Sequence, residues 1–329
     1  MSTFLAYRLH ADGGGAPGAR FVELRVDDLS PGDVLIRVAY SSLNYKDALA
    51  AAGRNAIVRT YPRIGGIDLA GHVAASRDAR LREGDAVVVH GFGIGVDHDG
   101  GHAQYARVPG GWVMPLPAGL SLLEASALGA AGYTAGLCLH WMEHNGLAPD
   151  AGKVVVSGAT GGVGSIAVDM LASRGYAVAA LTGKPDAHAY LRGLGASDIL
   201  ADDVALAPGK PLERGAWAGA VDAVGGAVLA WMLRTMQPDG VATSFGNAGG
   251  AAFDGNVLPF ILRGVRLIGI NANSPMALRE HVWAKIAGPY RPRRLEAIAS
   301  VIAFDALPGA MARMLARTSR GRYVVRMPD

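Results

Sequence analysis

The most constraining feature of the chain is a short apolar run, Lys153-Val-Val-Val-Ser157, that leads directly into Gly-Ala-Thr-Gly-Gly-Val-Gly at 158–164. The run reads as a buried strand, and the residues after the glycines read as a helix to about Arg174. Ala159, Gly161 and Gly164 take the three positions of a G-x-G-x-x-G fingerprint, with alanine at the first. Small residues are needed there because the turn is tight, the backbone must approach a diphosphate, and the helix must pack close to its strand. The exposed N–H groups and positive dipole end of such a helix favour anions. Ala159, Thr160, Gly161, Gly162, Val163 and Gly164 are therefore the candidate cradle of a dinucleotide.

The end of the next strand, Ala177 to Leu181, selects between dinucleotides. A carboxylate about 20 residues beyond the loop would bind the adenosine ribose hydroxyls; here the sequence is Thr182-Gly183-Lys184. A hydroxyl and a cation suit a 2′-phosphate. One charge pair at 4 Å is worth about 4 kcal/mol at an effective dielectric near 20, and solvent leaves ~1–2 of it. NADP is the expected cofactor.

Strands and helices alternate from there on. A helix is expected over Ala187–Leu194, a short strand at Ile199–Ala201, a strand from Gly219 to Asp222, a helix at Leu229–Met236, and strands at Val241–Ser244 and Val265–Ile270. That order implies a doubly wound parallel sheet with crossover helices, an α/β fold. Before it, Val34–Val38 alternates and Ala86–His90 is a compact β-branched run, so the first third reads as a β-rich antiparallel body. Ser121 followed by Glu124 is a capping box that opens a helix. The tail carries two helical stretches and a closing strand, Tyr323–Arg326.

Composition excludes several classes. The sequence has 329 residues, 50% hydrophobic and 18% charged, which is too apolar for a disordered chain. Its net charge is +3 and its densest basic cluster is only Arg291-Pro-Arg293-Arg294, so no nucleic-acid surface is expected. A single cysteine, Cys138, permits no intrachain disulfide and no cysteine-based structural zinc site. The start, Met1-Ser2-Thr3-Phe4, lacks the pattern of a signal peptide, and the uncharged segment Ala125–Met142 is rich in Ala and Gly, as in a buried helix. A cytoplasmic protein without a membrane span is expected.

With these residues the chain resembles the medium-chain dehydrogenase/reductase superfamily, and within it the zinc-independent, quinone-oxidoreductase-like branch that includes acrylyl-CoA reductases. The resemblance rests on S-S-L-N-Y-K-D-A-L at 41–49, G-I-D-L-A-G at 66–71, A-G-Y-T-A at 131–135, G-A-T-G-G-V-G-S at 158–165, W-A-G-A-V-D at 217–222 and P-F-I-L-R-G-V-R-L-I-G-I at 259–270. It implies a GroES-like catalytic domain over about 1–123, a Rossmann NADP-binding domain over 124–271, and a return segment, 272–329, that completes the first domain. In zinc-dependent relatives the first metal ligand falls where this chain has Leu43-Asn44-Tyr45-Lys46, without a thiolate, so no metal is expected. The loop Asp97–His102, with His98 and His102, reads as a turn rather than a metal site.

The resemblance further implies hydride transfer from NADPH to the β-carbon of an α,β-unsaturated thioester, acrylyl-CoA or another short 2-enoyl-CoA, with donors stabilising the resulting enolate. It places Tyr45 and Asn44 at the reacting centre, where Tyr45 would contact the cofactor, donate the α-proton or do both, with solvent as the alternative acid, and Thr134 on the nicotinamide side. Phe245, Gly246, Leu267 and Asn271 are expected at the cofactor because ligands meet the carboxyl ends of parallel strands, and Arg322 is a candidate for the diphosphate. Asp68 and Asp47 read as structural. Arg59, Arg263, Arg266, Arg279 and the 291–294 cluster are the cations available to coenzyme A phosphates. Two departures stand out: Gly65 where the family has proline, and Asn271-Ala272 where it has Asp-Ser. Quinone reduction and NADPH binding without turnover are the alternative activities, and a homodimer is the expected assembly.

Overall fold

In the computed structural model the described residues are 3–11 and 17–328; Met1 and Ser2 of the N-terminal stretch read above lie outside them. The chain forms two compact units. One comprises Met1–Ala130, Pro275–Glu280 and Ala299–Asp329, the other Ala131–Ser274 and His281–Ile298.

The N-terminal unit opens with the antiparallel pair β1 (Phe4–His10) and β2 (Gly18–Leu24). It continues through β3 (Val34–Leu43), helix α1 (Tyr45–Ala51), and strands β4 (Arg63–Ile64), β5 (Asp68–Ser76), β6 (Ala86–His90), β7 (Tyr105–Val108) and β8 (Met114–Pro115). On β3, Val34, Ile36 and Val38 are buried while Leu35, Arg37 and Ala39 are not, the period of two that puts one strand face on a core. Val73, Val87, Val89 and Val108 join them in one apolar cluster. Helix α1 follows β3 after a single residue; the sequence pattern does not separate it from the strand-rich body.

Helix α2 (Leu122–His144) starts at the expected capping box: Ser121 Oγ accepts the Glu124 N–H at 3.2 Å, and a Glu124 carboxylate oxygen accepts the Ser121 N–H at 2.9 Å. Its apolar window is long enough to cross a membrane, but 78% of that window is buried inside the protein. Gly129, at φ +46° and ψ −147°, breaks the helix into two pieces.

The second unit follows in βα alternation: β9 (Lys153–Val156), α3 (Gly162–Ser173), β10 (Val178–Leu181), α4 (His188–Gly193), β11 (Asp198–Leu200), α5 (Asp203–Leu206), β12 (Trp217–Asp222), α6 (Gly226–Arg234), β13 (Met236–Ser244), α7 (Leu258–Arg263) and β14 (Arg266–Gly269). Six parallel strands lie in the order β11-β10-β9-β12-β13-β14, so the direction of winding reverses between β9 and β12. Such a switch point is where open α/β sheets bind ligands. Helices α5 and α7 are not among the expected elements, and one expected helix is shifted. Expected over 229–236, it begins at Gly226 and ends at Arg234, because Thr235 turns its hydroxyl back onto the Trp231 and Met232 carbonyls and Met236 already pairs with Trp217.

The tail holds α8 (Met276–Ala287), α9 (Leu295–Ile298), β15 (Ala299–Ala303), α10 (Leu307–Leu315) and β16 (Arg322–Arg326), one helix and one strand more than expected. It is also divided rather than returning as one piece. Residues 281–298 belong to the second unit, where Val282 and Ile286 pack over Gly136: a Cβ there would lie 2.8 Å from the Ile286 side chain. β16 pairs antiparallel with β3 and parallel with β15, closing the sheet of the first unit.

Candidate active site

The glycine loop has the geometry its sequence requires. Gly161 is the N-cap of α3, at φ −79° and ψ 174°, and its carbonyl accepts the Ser165 N–H at 2.9 Å. The N–H groups of Gly162, Val163 and Gly164 have no acceptor among the described residues. A Cβ on Gly164 would sit 2.3 Å from the Gly158 carbonyl oxygen, so only glycine lets helix and loop approach this closely. At Gly161 the only neighbour a Cβ would meet is that same oxygen, at 3.3 Å, and the residue is exposed. Open space, three unpaired N–H groups and a helix N-terminus together fit a diphosphate. Ala159 and Thr160 are buried beneath the loop, and Ser165 Oγ ties the helix to the Ala159 carbonyl at 3.1 Å.

The switch point itself is organised by Asp222, which stands within a motif of the sequence but carries no role there. Fully buried at the end of β12, its carboxylate accepts Ser157 Oγ at 2.9 Å, Ser244 Oγ at 2.9 Å, and the Val224 and Gly225 N–H groups. It thus joins the carboxyl ends of β9, β12 and β13. Phe245 is half-buried just beyond, its N–H bonded to the Asp222 carbonyl at 3.1 Å. Gly246 is required by the fold: a Cβ would lie 2.1 Å from the Ala223 carbonyl oxygen. Asn271 is exposed past the end of β14 and caps its own turn, accepting the Asn273 N–H at 2.9 Å. Leu267 does not reach that end. It pairs with Ala242 in the middle of β14 and packs on the core of the sheet, so its expected place at the cofactor is corrected. Thr134 is buried in the second piece of α2, after Tyr133, whose hydroxyl bonds Ser274 Oγ.

At the end of β10, Thr182 is buried and its hydroxyl accepts the Lys184 N–H at 3.1 Å, leaving Gly183 exposed and Lys184 half-buried. A carboxylate does stand here, from the neighbouring strand. Parallel pairing of Leu181 with Leu200 brings Asp202 alongside, and a Cβ on Gly183 would lie 2.6 Å from Asp202 Oδ2. Burial, and then Asp203 beside it, hold the Asp202 carboxyl above its ordinary range.

In the first unit, Asp68 and Arg322 form a buried centre. Asp68 Oδ1 accepts the Ser42 N–H at 2.9 Å and Ser42 Oγ at 2.5 Å; Oδ2 accepts Asn44 Nδ2 at 2.9 Å and the Ala130 N–H at 3.0 Å. Arg322 donates to the carbonyls of Ala127 and Leu43, to Asn44 Oδ1 at 2.9 Å and to Ser42 Oγ. Only 2% exposed and so engaged, Arg322 is not available to a diphosphate, which corrects its expected role. Asn44 is likewise taken at both ends of its amide, by Asp68 and Arg322, and caps α1; the structure makes it a positioning residue rather than a donor to substrate.

Tyr45, the next residue, is the first of α1. It is 42% exposed, and its hydroxyl has no partner among the described residues. Asp47 is buried, accepting the Asn44 N–H at 2.9 Å and the Ile67 N–H at 3.0 Å. Burial raises its carboxyl above the usual range, which His102 partly offsets and Asp68 reinforces. In the 97–102 loop, His98 bonds the carbonyls of Asp99 and Pro31, and Asp99 accepts from Ser30 and the Ile64 N–H. No cluster of three or more His, Cys, Asp or Glu placed to hold a metal occurs among the described residues. Of the arginines considered for coenzyme A, Arg279 is buried against His90 and stacked on Phe92 at 4.1 Å, Arg263 bonds the Met236 carbonyl, Arg266 the Asp239 carbonyl, and Arg294 reaches Asp169. Arg59 stays exposed.

Comparison with known proteins agrees with this architecture. Residues 30–118 match the alcohol dehydrogenase GroES-like domain, and residues 162–288 the zinc-binding dehydrogenase domain. The chain belongs to the medium-chain dehydrogenase/reductase superfamily, a family of oxidoreductases. Within it, the chain falls in the branch of quinone-oxidoreductase-like proteins and acrylyl-CoA reductases. It is 46% identical to the putative quinone oxidoreductase YhfP of Bacillus subtilis, over 92% of this chain and 93% of that one. It is 44% identical to the acrylyl-CoA reductase AcuI of Ruegeria pomeroyi, over 94% and 95%. The yhdH oxidoreductase of Salmonella enterica, solved with NADP, superposes with a TM-score of 0.96 at 42% identity, covering 98% of this chain and all of that one. The structure of yhfP, solved with NAD, gives 0.96 at 43%, covering 99% and 100%.

Proposed function

We propose that the chain is a zinc-independent, NADPH-dependent reductase of activated carbon–carbon double bonds, with acrylyl-CoA or another short 2-enoyl-CoA as acceptor. The observation that carries this reading is the trio of unpaired N–H groups at Gly162, Val163 and Gly164, set over the open face of Gly161 beside the switch point. The relative that reduces acrylyl-CoA supports the choice of acceptor. When bound, NADPH supplies the hydride. The α3 amides hold its diphosphate, Lys184 draws the 2′-phosphate, and Thr134, Phe245, Gly246 and Asn271 line its nicotinamide half.

Tyr45 is the group of this chain that can give a proton or a hydrogen bond to the acceptor, since its phenol is exposed and uncommitted. Asn44, Asp68 and Arg322 fix the N-terminus of α1 and hence the direction of Tyr45. The segment 43–46 holds no cysteine to supply a zinc thiolate, and Cys138 is buried in α2. We further propose a cytoplasmic homodimer. β14 is the edge of its sheet, and Val257, Ile261 and Leu262 on and beside α7 are exposed apolar side chains that a second copy would cover.

Loss of NADPH absorbance after mixing with acrylyl-CoA, crotonyl-CoA and a benzoquinone tests the reading. Fast oxidation by acrylyl-CoA is the expected result. Turnover with the benzoquinone alone would make the chain a quinone reductase, and tight NADPH binding without oxidation by any acceptor would leave a binding protein.

A further inference from the structure

Beneath the first turn of α1 the first unit buries more charge than the Asp68–Arg322 pair. Asp47 is buried, and its carboxylate accepts the N–H groups of Asn44 and Ile67, so it fixes the turn that carries Tyr45. The charged and titratable groups that face it are Asp68 on β5, Arg322 on β16 and His102 in the loop before β7. From its other side α10 brings Leu307, Ala310 and Met311 to the apolar cluster that includes Ala48, and Lys46 of α1 itself is exposed. Two carboxylates and one guanidinium leave this centre with one negative charge in excess unless a proton is held there. An uncompensated buried charge is strongly unfavourable.

His102 is the residue placed to hold that proton. It is fully buried, and neither ring nitrogen has a hydrogen-bond partner among the described residues. Its backbone is fixed on both sides: the N–H donates to the Gly65 carbonyl at 2.9 Å, and the carbonyl accepts the Tyr7 N–H at 2.8 Å. The ring lies against the turn Gly65-Gly66, whose next residue, Ile67, gives its N–H to Asp47. A Cβ on Gly66 would lie 2.8 Å from Cδ2 of the ring, and one on Gly65 would lie 3.2 Å from Nδ1. The proline that the family carries at 65 would crowd that nitrogen and lose the N–H that bonds the Tyr7 carbonyl at 3.4 Å. The glycine at 65 and the histidine at 102 are thus one feature, the first making room for the ring of the second.

Resting on the reading of Tyr45 as donor to the acceptor, we infer that His102 is a positioning residue of the reaction: it shares one proton with Asp47, and that proton keeps the centre beneath α1 neutral and Tyr45 in place. Asp47 and His102 then titrate as a unit. Loss of the proton as the pH rises leaves a net negative charge under α1, loosens its first turn and misdirects the phenol. Turnover falls, while the proposed diphosphate cradle on α3 is untouched.

The test compares the whole wild-type chain with His102→Gln and with the double variant Asp47→Asn, His102→Gln. For each, the urea midpoint and kcat with acrylyl-CoA are measured against pH, together with the NADPH dissociation constant. His102→Gln leaves Asp47 buried without its proton partner, so its urea midpoint should fall by about 1 M near neutral pH. The fall should shrink in mild acid. Burial holds the Asp47 carboxyl above its ordinary range, so the cost of its charge appears as the pH rises through the folded value and vanishes below it. The double variant should regain most of the loss and show no such pH dependence. In His102→Gln kcat should fall about tenfold and lose the alkaline decline of the wild type; it should recover in the double variant, with NADPH affinity within about twofold throughout. A midpoint drop that is equal at every pH, a double variant no better than the single one, or an alkaline decline absent from wild type or retained in His102→Gln overturns the inference. If the wild type itself fails to oxidise NADPH with acrylyl-CoA, the functional reading falls and the positioning role with it, whereas the urea series alone decides the shared proton.

Discussion

The guanidinium of Arg322 lies 3.7 Å from the Asp68 carboxylate, and each side chain is only 3% exposed. The two residues are 254 positions apart in the sequence, on strands that flank β3. Gly129 makes room for the pair. A Cβ there would lie 2.5 Å from Asp68 Oδ2, so helix α2 breaks at this glycine and hands the Ala130 N–H to the carboxylate. Burial lowers the Arg322 pKa from its ordinary value, against the raising influence of Asp68 and then Asp47, but a guanidinium stays charged.

Removing one partner should therefore cost more than removing both. Arg322→Met leaves a buried carboxylate without its cation, for which about 3–5 kcal/mol is the usual penalty. The double variant Asp68→Asn, Arg322→Met should recover part of it. Urea unfolding of the four proteins gives the coupling energy directly. A loss below about 1 kcal/mol in the single variant would show that the hydrogen bonds, not the charge pair, hold this centre.

The glycine loop separates folding from binding in two substitutions. Gly164→Ala drives a methyl to 2.3 Å from the Gly158 carbonyl oxygen and should destabilise by about 1–3 kcal/mol. Gly161→Ala meets only one atom at 3.3 Å, at a φ that alanine adopts freely, so its melting temperature should stay within about 2 °C of wild type. Its methyl nevertheless occupies the side from which a diphosphate must approach, and NADPH affinity should fall about tenfold or more. Wild-type affinity in Gly161→Ala would place the diphosphate elsewhere.

Much of this is legible without the fold, for reasons that can be traced to particular residues. Val154–Val156 and the glycines that follow are local signals: strand, turn and helix succeed one another without intervening chain, and the loop geometry depends on neighbours in sequence. Lys153 opens that strand as expected. Arg322 misleads in the sequence because its partner is set by the pairing of β16 with β3, a contact across nearly the whole chain. Asp202 is invisible there for a related reason, since only the parallel register of β10 and β11 brings it to Gly183. Leu267 is suggested by its nearness to a strand end, but one residue of register decides whether a side chain meets the core or the ligand edge. Tyr45 follows an alternating strand after a single residue, and no periodicity marks the seven-residue helix that it begins.

Acid should weaken the second unit through His140. Its pKa is lowered from 6.5 to about 4, first by burial, then by Lys285, His281 and His144. Lys285 Nζ donates to its Nδ1 at 3.1 Å, a bond that only the neutral ring can accept. Because the folded value lies below the unfolded one, stability is unaffected above pH 6.5 and is lost as the pH falls from 6.5 toward about 4. Partial exposure of the ring screens the effect, leaving about 1 kcal/mol. His140→Gln should flatten that part of the acid limb. Urea midpoints near neutral pH and at about pH 5 for both proteins provide the check, and an equal drop in each would assign the acid sensitivity to other groups.

Tyr45→Phe tests the chemistry without disturbing the fold. The hydroxyl is exposed and bonds nothing among the described residues, so stability should change by less than about 0.5 kcal/mol. NADPH affinity should also persist, because the proposed cradle for the diphosphate is the α3 amides, to which the Tyr45 hydroxyl contributes nothing. If the phenol delivers the proton to the α-carbon, kcat with acrylyl-CoA should fall by about a hundredfold, the lower end for loss of a general acid. The KM should change little, and the solvent isotope effect should rise as proton delivery becomes limiting. Asn44→Ala should act differently: it removes the group that joins Asp68 to Arg322 and caps α1, so stability and kcat should fall together. A Tyr45→Phe enzyme with unchanged kcat would move the proton donor to solvent and leave Tyr45 as a wall of the site.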